Sequence, residues 1–247
     1  MQARGTGRGR RLGLTREKVT AAAVEMIDRD GPDAFSLRRL AAELGIAAMS
    51  LYNHVPGKDA LLDDVAEWLL GEVDFSGADT GTWQQRLRAH AAAFRAAALR
   101  HPKAFPLVLT RPTQSPAALN NIRCALASVS ELDLAPRELV RVVRAFAAFI
   151  VGTIMRELGS IATVAARDAE QARRRLTEIT ATGDPLLVSV APHLAAADHE
   201  AEYHYGVELL IAGLAARVGV PYDGGADSAG SDGSGDRAEP ADQVEAL

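Results

Sequence analysis

Ser36-Leu37-Arg38-Arg39-Leu40-Ala41-Ala42-Glu43-Leu44-Gly45-Ile46-Ala47-Ala48-Met49-Ser50-Leu51-Tyr52-Asn53-His54-Val55 reads as two short helices folded about a glycine. Ser36 suits an N-cap, because its hydroxyl can accept from a first-turn N–H that has no partner in the helix. Leu37, Leu40, Ala41 and Leu44 share one face, and Arg38, Arg39 and Glu43 take the other. Gly45 ends that helix. A second is expected over residues 48–55, with Leu51 and Val55 inward and Ser50, Asn53 and His54 outward. Two short helices around a tight glycine turn make a helix-turn-helix.

Working outward, Thr15 caps a preceding helix that carries Val19, Ala22, Ala23, Met26 and Ile27 on one stripe until Asp30-Gly31-Pro32 stops it. After the Pro56-Gly57 break, residues 58–73 read as a longer helix that buries Leu61, Leu62, Val65, Trp68 and Leu69. Helical segments follow over 83–100, 102–109 and 115–130, and their short connections imply antiparallel neighbours. Two later helices, over 136–159 and 199–218, are apolar on more than one side. Such helices need partners on more than one side, which a homodimer supplies. The stretch 161–192 shows the weakest pattern, and its Arg173-Arg174-Arg175 run reads as a solvated helix face.

Composition agrees with an all-α chain. Of 247 residues, 48% are hydrophobic, enough for a real core, and only 5% are aromatic. Alanine and leucine abound where strand-forming residues are scarce. Cys124 is the only cysteine, which excludes an internal disulfide and a cysteine-based zinc cluster, and it reads as a buried structural thiol. No apolar stretch is long enough to span a membrane, and the first residues lack the core of a secretory signal, so a cytoplasmic protein is expected.

The net charge of -5 is unevenly spread. Arg4, Arg8, Arg10, Arg11, Arg16 and Lys18 face only Glu17 at the start, whereas from residue 223 seven acidic residues face only Arg237. A local basic patch is what phosphates feel, so the N-terminal end is the candidate nucleic-acid end. The expected organisation is a basic flexible arm (1–14), a three-helix DNA-binding domain (15–60), a helical bundle for ligand binding and dimerisation (61–221) and a disordered acidic tail (222–247).

The run from Ser36 to Ile46, with Ser50 to Val55 and Lys58-Asp59-Ala60-Leu61-Leu62, resembles the DNA-binding domain of the TetR family. Leu109-Thr110-Arg111-Pro112-Thr113 and Val151-Gly152 look like matching points in the ligand domain of the tetracycline repressor branch. The resemblance implies an all-helical homodimer with a four-helix interface, a small-molecule pocket inside each bundle, and release from an inverted-repeat operator when an effector shifts the fourth helix. A constitutive DNA-binding regulator without an effector is the alternative.

On this reading Ala47, Ala48, Met49, Ser50 and Asn53 lie nearest base edges, and Arg38 can form a two-pronged contact with guanine. Tyr52, His54 and Lys58 are placed for phosphates, although Tyr52 could instead pack in the core and His54 could be a surface residue with no partner. The arm either tracks phosphates, enters the minor groove, or does neither. Trp83, Phe94, Phe105, Leu109, Asn120, Phe146, Phe149 and Met155 are candidate pocket residues, with plain core packing the alternative for each.

Tetracycline repressors use a histidine three residues before the position matching Thr110, and a glutamate on the later long helix, to hold a drug–magnesium complex. Here those positions are Leu107 and either Arg156 or Glu157, so that complex is not the expected effector. The one metal-like pattern, His199-Glu200 with His204, puts the two rings about 140° apart around a helix. No phosphate loop or nucleophile elbow appears, and neither catalytic residue, metal nor cofactor is expected.

Overall fold

The computed structural model describes residues 14–111, 115–159 and 169–224, and these contain eleven α-helices and no strand. They are α1 (Arg16–Asp30), α2 (Leu37–Glu43), α3 (Ala48–Leu51), α4 (Lys58–Gly71), α5 (Trp83–Arg100), α6 (Leu107–Thr110), α7 (Pro116–Val129), α8 (Pro136–Glu157), α9 (Ala169–Ala181), α10 (Pro185–Ala195) and α11 (His199–Val218). The arm expected over residues 1–14 lies, but for Leu14, outside the described residues.

Caps set the first two helices. Thr15 accepts from the Lys18 N–H at 3.3 Å and Ser36 from the Arg39 N–H at 3.3 Å. At the end of α2, Ile46 N–H reaches Ala41 O at 3.0 Å and Gly45 N–H reaches Ala42 O at 3.1 Å. This Schellman closure needs a left-handed residue, and Gly45 supplies it at φ +67°. Val19, Ala23, Ile27, Phe35, Leu40, Leu51 and Val55 then make one dry core under the turn.

Two of the expected helices are shorter than their apolar patterns suggest. Residues 52–55 leave α3 as a turn, with His54 N–H on Leu51 O at 2.9 Å. The cause is Pro56, whose ring disfavours the helical region for Val55. In the 102–109 segment only α6 is regular. Pro106 offers no N–H, so the chain turns through residues 102–106 before Leu107.

Expected tail residues also differ from their reading. Arg88 on α5 grips Asp223 at 2.7 and 3.0 Å, and the Tyr222 hydroxyl donates to Glu208 at 2.5 Å. Order therefore continues past the expected boundary at 222, because Arg88 offers acidic residues a fixed partner. Residues 225–247 lie outside the described residues.

The bundle packs α5, α7, α8 and α11 against one another, with α4 and α6 closing one end. Helix α11 comes so close to α8 that a Cβ on Gly206 would stand 2.1 Å from the Phe149 ring. Helices α9 and α10 pack together, and α9 buries none of its side chains, in keeping with its arginine run. Two junctions tie the ends together. Asp28 of α1 takes the His101 Nδ1 at 2.6 Å and the Ala104 N–H at 2.9 Å, and Arg111 bonds Asp63 of α4 at 3.1 Å.

Candidate DNA-reading head and effector cavity

The reading head presents α3 and the turn after it. Leu51 and Val55 are wholly buried, so the intervening and preceding side chains are forced outward. Ala47, Ala48, Asn53 and Tyr52 are exposed, Met49 is 76% exposed, and Ser50 and His54 are half-buried. Tyr52 therefore stands on the surface rather than in the core.

Charge on this face is sorted by ion pairs. Arg29 holds Glu43 at 2.8 and 3.0 Å, and Arg39 holds Asp30 at 2.7 Å. The Arg29 hydrogen bonds keep both carboxyls below their ordinary pKa, so the pairs stay ionised. Arg38, one residue away and exposed, makes no hydrogen bond or ion pair among the described residues. Lys58 behaves otherwise. Its ammonium donates to Phe35 O at 3.0 Å and lies 5.7 Å from the Phe35 ring, so it fastens α4 to the α1–α2 corner.

About 210 Å³ of cavity lies within the bundle. Its walls are Leu70 of α4, Leu87, His90 and Phe94 of α5, Val108 and Leu109 of α6, Asn121 and Ile122 of α7, and Val143, Phe146 and Ile150 of α8, with small residues between them. Of the eight residues named from the sequence, Phe94, Leu109 and Phe146 line this cavity.

The other five candidates lie elsewhere. Phe105 is one layer behind the wall, edge-on to Phe94 at 5.3 Å. Phe149 faces Gly206 and Tyr203 on α11. Trp83 is core at the start of α5, where its N–H donates to Glu131 at 3.1 Å. Asn120 points to the opposite side of α7, onto Arg123 at 2.9 Å. Met155 is absent from the wall.

His90 and Asn121 escaped the sequence reading. The imidazole is 7% exposed and stacks on Phe75 at 4.7 Å. Burial pushes its pKa down to about 4, and a hydrogen bond with Asn121 only partly opposes that. A neutral folded imidazole against an unfolded one near 6.5 means that the unfolded chain takes up the proton first as pH falls. Stability is full above about pH 6.5 and declines toward pH 4. His90→Phe should therefore flatten urea-unfolding stability between pH 7 and pH 5 by about 2 kcal/mol relative to the unaltered protein. Parallel pH dependences would show that His90 already meets its proton in the fold.

Comparison with known proteins agrees with both halves of this geometry. Residues 19–65 match the model for bacterial regulatory proteins of the tetR family, and residues 77–218 match the tetracyclin repressor-like C-terminal domain. An HTH-type transcriptional regulator of Saccharopolyspora erythraea is 30% identical, over 84% of this chain and 87% of its own. The class D tetracycline repressor protein of Escherichia coli is 31% identical, over 81% and 89%. Among solved structures, the Streptomyces coelicolor TetR family protein ActR in complex with actinorhodin superposes with a TM-score of 0.72 at 25% identity, covering 83% of this chain and 99% of its own. With a helix-turn-helix over one match and a hollow helical bundle over the other, the chain belongs to the TetR family of non-enzymatic, DNA-binding transcriptional regulators.

Proposed function

We propose that the protein is a homodimeric repressor that holds an inverted-repeat duplex and releases it when a small molecule enters the bundle cavity. The observation that carries this reading is α4. Lys58 at its first residue is fastened to the reading head, and Leu70 near its end is a wall of the cavity. Helix α6 adds a second lever. Val108 and Leu109 face the cavity, the turn before them is held on Asp28 of α1, and Arg111 after them is held on α4.

A guest that displaces α6 therefore pushes on both long helices of the head. Two heads must meet half-sites one helical turn or a multiple apart, so a few Å of change in their separation shifts the balance from bound to free. Arg38, Ala47, Ala48, Met49, Ser50 and Asn53 are the proposed base contacts, with Tyr52, His54 and Lys58 at phosphates.

Dimerisation is supported by α11, where Tyr205 and Leu209 are 69% and 56% exposed on a stripe completed by Ala201 and Ala216. The cytoplasm is the proposed place of action, and no helix among the described residues is long and apolar enough to cross a membrane. Tetracycline–magnesium does not suit this cavity, because Leu107 replaces the imidazole ligand. Glu157 and Arg156, the other candidate positions, are held by Arg95 and Glu202.

Selection from a random duplex pool tests the proposal. The unaltered protein should return an inverted repeat, and Arg38→Ala should lose preference at one symmetric pair of positions, by about 1–3 kcal/mol per contact. A uniform loss over all sequences would move Arg38 to the phosphate contacts, and no inverted repeat at all would sink the dimeric reading.

A further inference from the structure

The walls of the bundle cavity define what can enter it. Among the described residues that line it there is no Asp, Glu, Lys or Arg, and the only polar side chains are His90 and Asn121. Those two serve each other. Asn121 hydrogen-bonds the imidazole, whose ring lies against Phe75 and whose Nδ1 presents almost no surface that a guest could touch.

Charged side chains on α5, the helix that supplies Leu87 and Phe94, are committed elsewhere. Arg86 pairs with Glu131, Arg88 with Glu208 and Asp223, and Arg95 with Glu157. An ionised guest would leave its hydration shell for a wall that returns neither a counter-charge nor a set of hydrogen bonds. Water fares little better, since a buried water needs about two to four polar partners. An apolar guest therefore displaces little that was held.

Size and shape narrow the class. About 210 Å³ exceeds by a little the 150 Å³ or so of an apolar cavity that holds benzene. Phe94 and Phe146, with Leu87 and Ile150, make sides suited to ring carbons. The opening keeps the same character. Ile122 is 45% exposed and Ala147 is exposed, and both line the cavity, so it meets solvent between α7 and α8 through apolar residues.

Resting on the effector reading above, we infer that the cavity selects an uncharged, apolar compound of one or two rings that enters between α7 and α8. Carboxylates and amines of the same shape are turned away. Selection is by charge and bulk, because the wall reserves no polar atom for a particular functional group.

Calorimetric titration of the full-length protein near neutral pH with naphthalene, 2-naphthoate and 2-naphthylmethylammonium tests this. Naphthalene should bind at least about tenfold more tightly than either ion. Ala147→Trp adds a ring system at an exposed position of the opening and should remove naphthalene binding. Should that variant fail to fold, Ile122→Trp on the facing helix gives the same reading. Retained binding in both variants overturns the placement. Arg144, exposed one turn before Ala147 on α8, controls for an anion held at the rim. If 2-naphthoate matches naphthalene and loses that parity in Arg144→Ala, the guest is an anion and the uncharged class is overturned. Equal binding of all three probes, or no binding of naphthalene, overturns it outright. Anisotropy of a labelled duplex in the same samples reads the effector role separately. Naphthalene that binds with the expected preference and leaves the duplex in place overturns that role while the guest class stands. Release by all three probes alike does the reverse.

Discussion

Leu209→Glu should leave the fold intact, turn the protein into a monomer and weaken binding to a two-half-site duplex by two to four orders of magnitude. The side chain is 56% exposed on α11, so within one chain the carboxylate stays wet and displaces no packing. In the proposed dimer the same position faces a second copy, where an unpaired charge would be driven into an apolar seam. Separated heads lose the effective concentration that makes the second half-site contact intramolecular, and that loss alone amounts to about 10²–10⁴ in affinity. Sedimentation at micromolar protein reads the mass, and anisotropy titration of a fluorescent duplex reads the affinity. Affinity for a single half-site should be unchanged, which separates lost pairing from a damaged head. A variant that stays dimeric would move the interface away from the Tyr205–Leu209 stripe.

The need of α11 for further partners shows in its sequence more plainly than the polar residues of the cavity wall do. Helices whose apolar residues exceed one face declare a need for more partners, and α8 and α11 did so in sequence. Ser36, Gly45 and Thr15 declared their roles because capping and left-handed turns depend on near neighbours alone. The reach of α3 depended on the residue before Pro56, a local rule that outweighs a periodic pattern.

The cavity was legible only in part. Phe94, Leu109 and Phe146 were chosen for size, and size does not tell a wall from the layer behind it, where Phe105 and Phe149 lie. His90 did carry a signal. It continues the stripe of Trp83, Leu87 and Phe94, so an imidazole was bound to face inward. On α7, Ala118, Asn121, Ile122 and Ala125 share the inward face while Asn120 does not, so position rather than residue type separates the two adjacent asparagines. Contacts such as Lys58 to Phe35 O join residues that are close only after folding.

Glu157→Ala should lower the stability of the protein by about 3 kcal/mol, a large fraction of the roughly 5–15 kcal/mol by which folded proteins are stable. The carboxylate meets Arg95 through two hydrogen bonds of 2.7 and 2.9 Å, and the two side chains are only 12% and 15% exposed. That bond is the main reason the guanidinium holds its proton more firmly than usual, with burial acting against it. Without its partner Arg95 would keep its charge, since guanidinium cannot give up a proton in this range, and would face only the Tyr203 ring at 5.5 Å and the more distant field of Glu200. Tyr203 cannot turn to help, because its buried hydroxyl is engaged with Ala91 O at 2.8 Å. The three helices so joined, α5, α8 and α11, include two walls of the cavity, so the loss should also weaken guest binding. Urea unfolding at fixed protein concentration gives the first number. The paired replacement Arg95→Met with Glu157→Leu should recover most of it, because exchanging both charges for apolar groups removes the desolvation penalty with the attraction. A single-variant loss below about 1 kcal/mol would mean that water reaches Arg95 freely, and the pair would then behave as an exposed one that leaves the cavity walls unaffected.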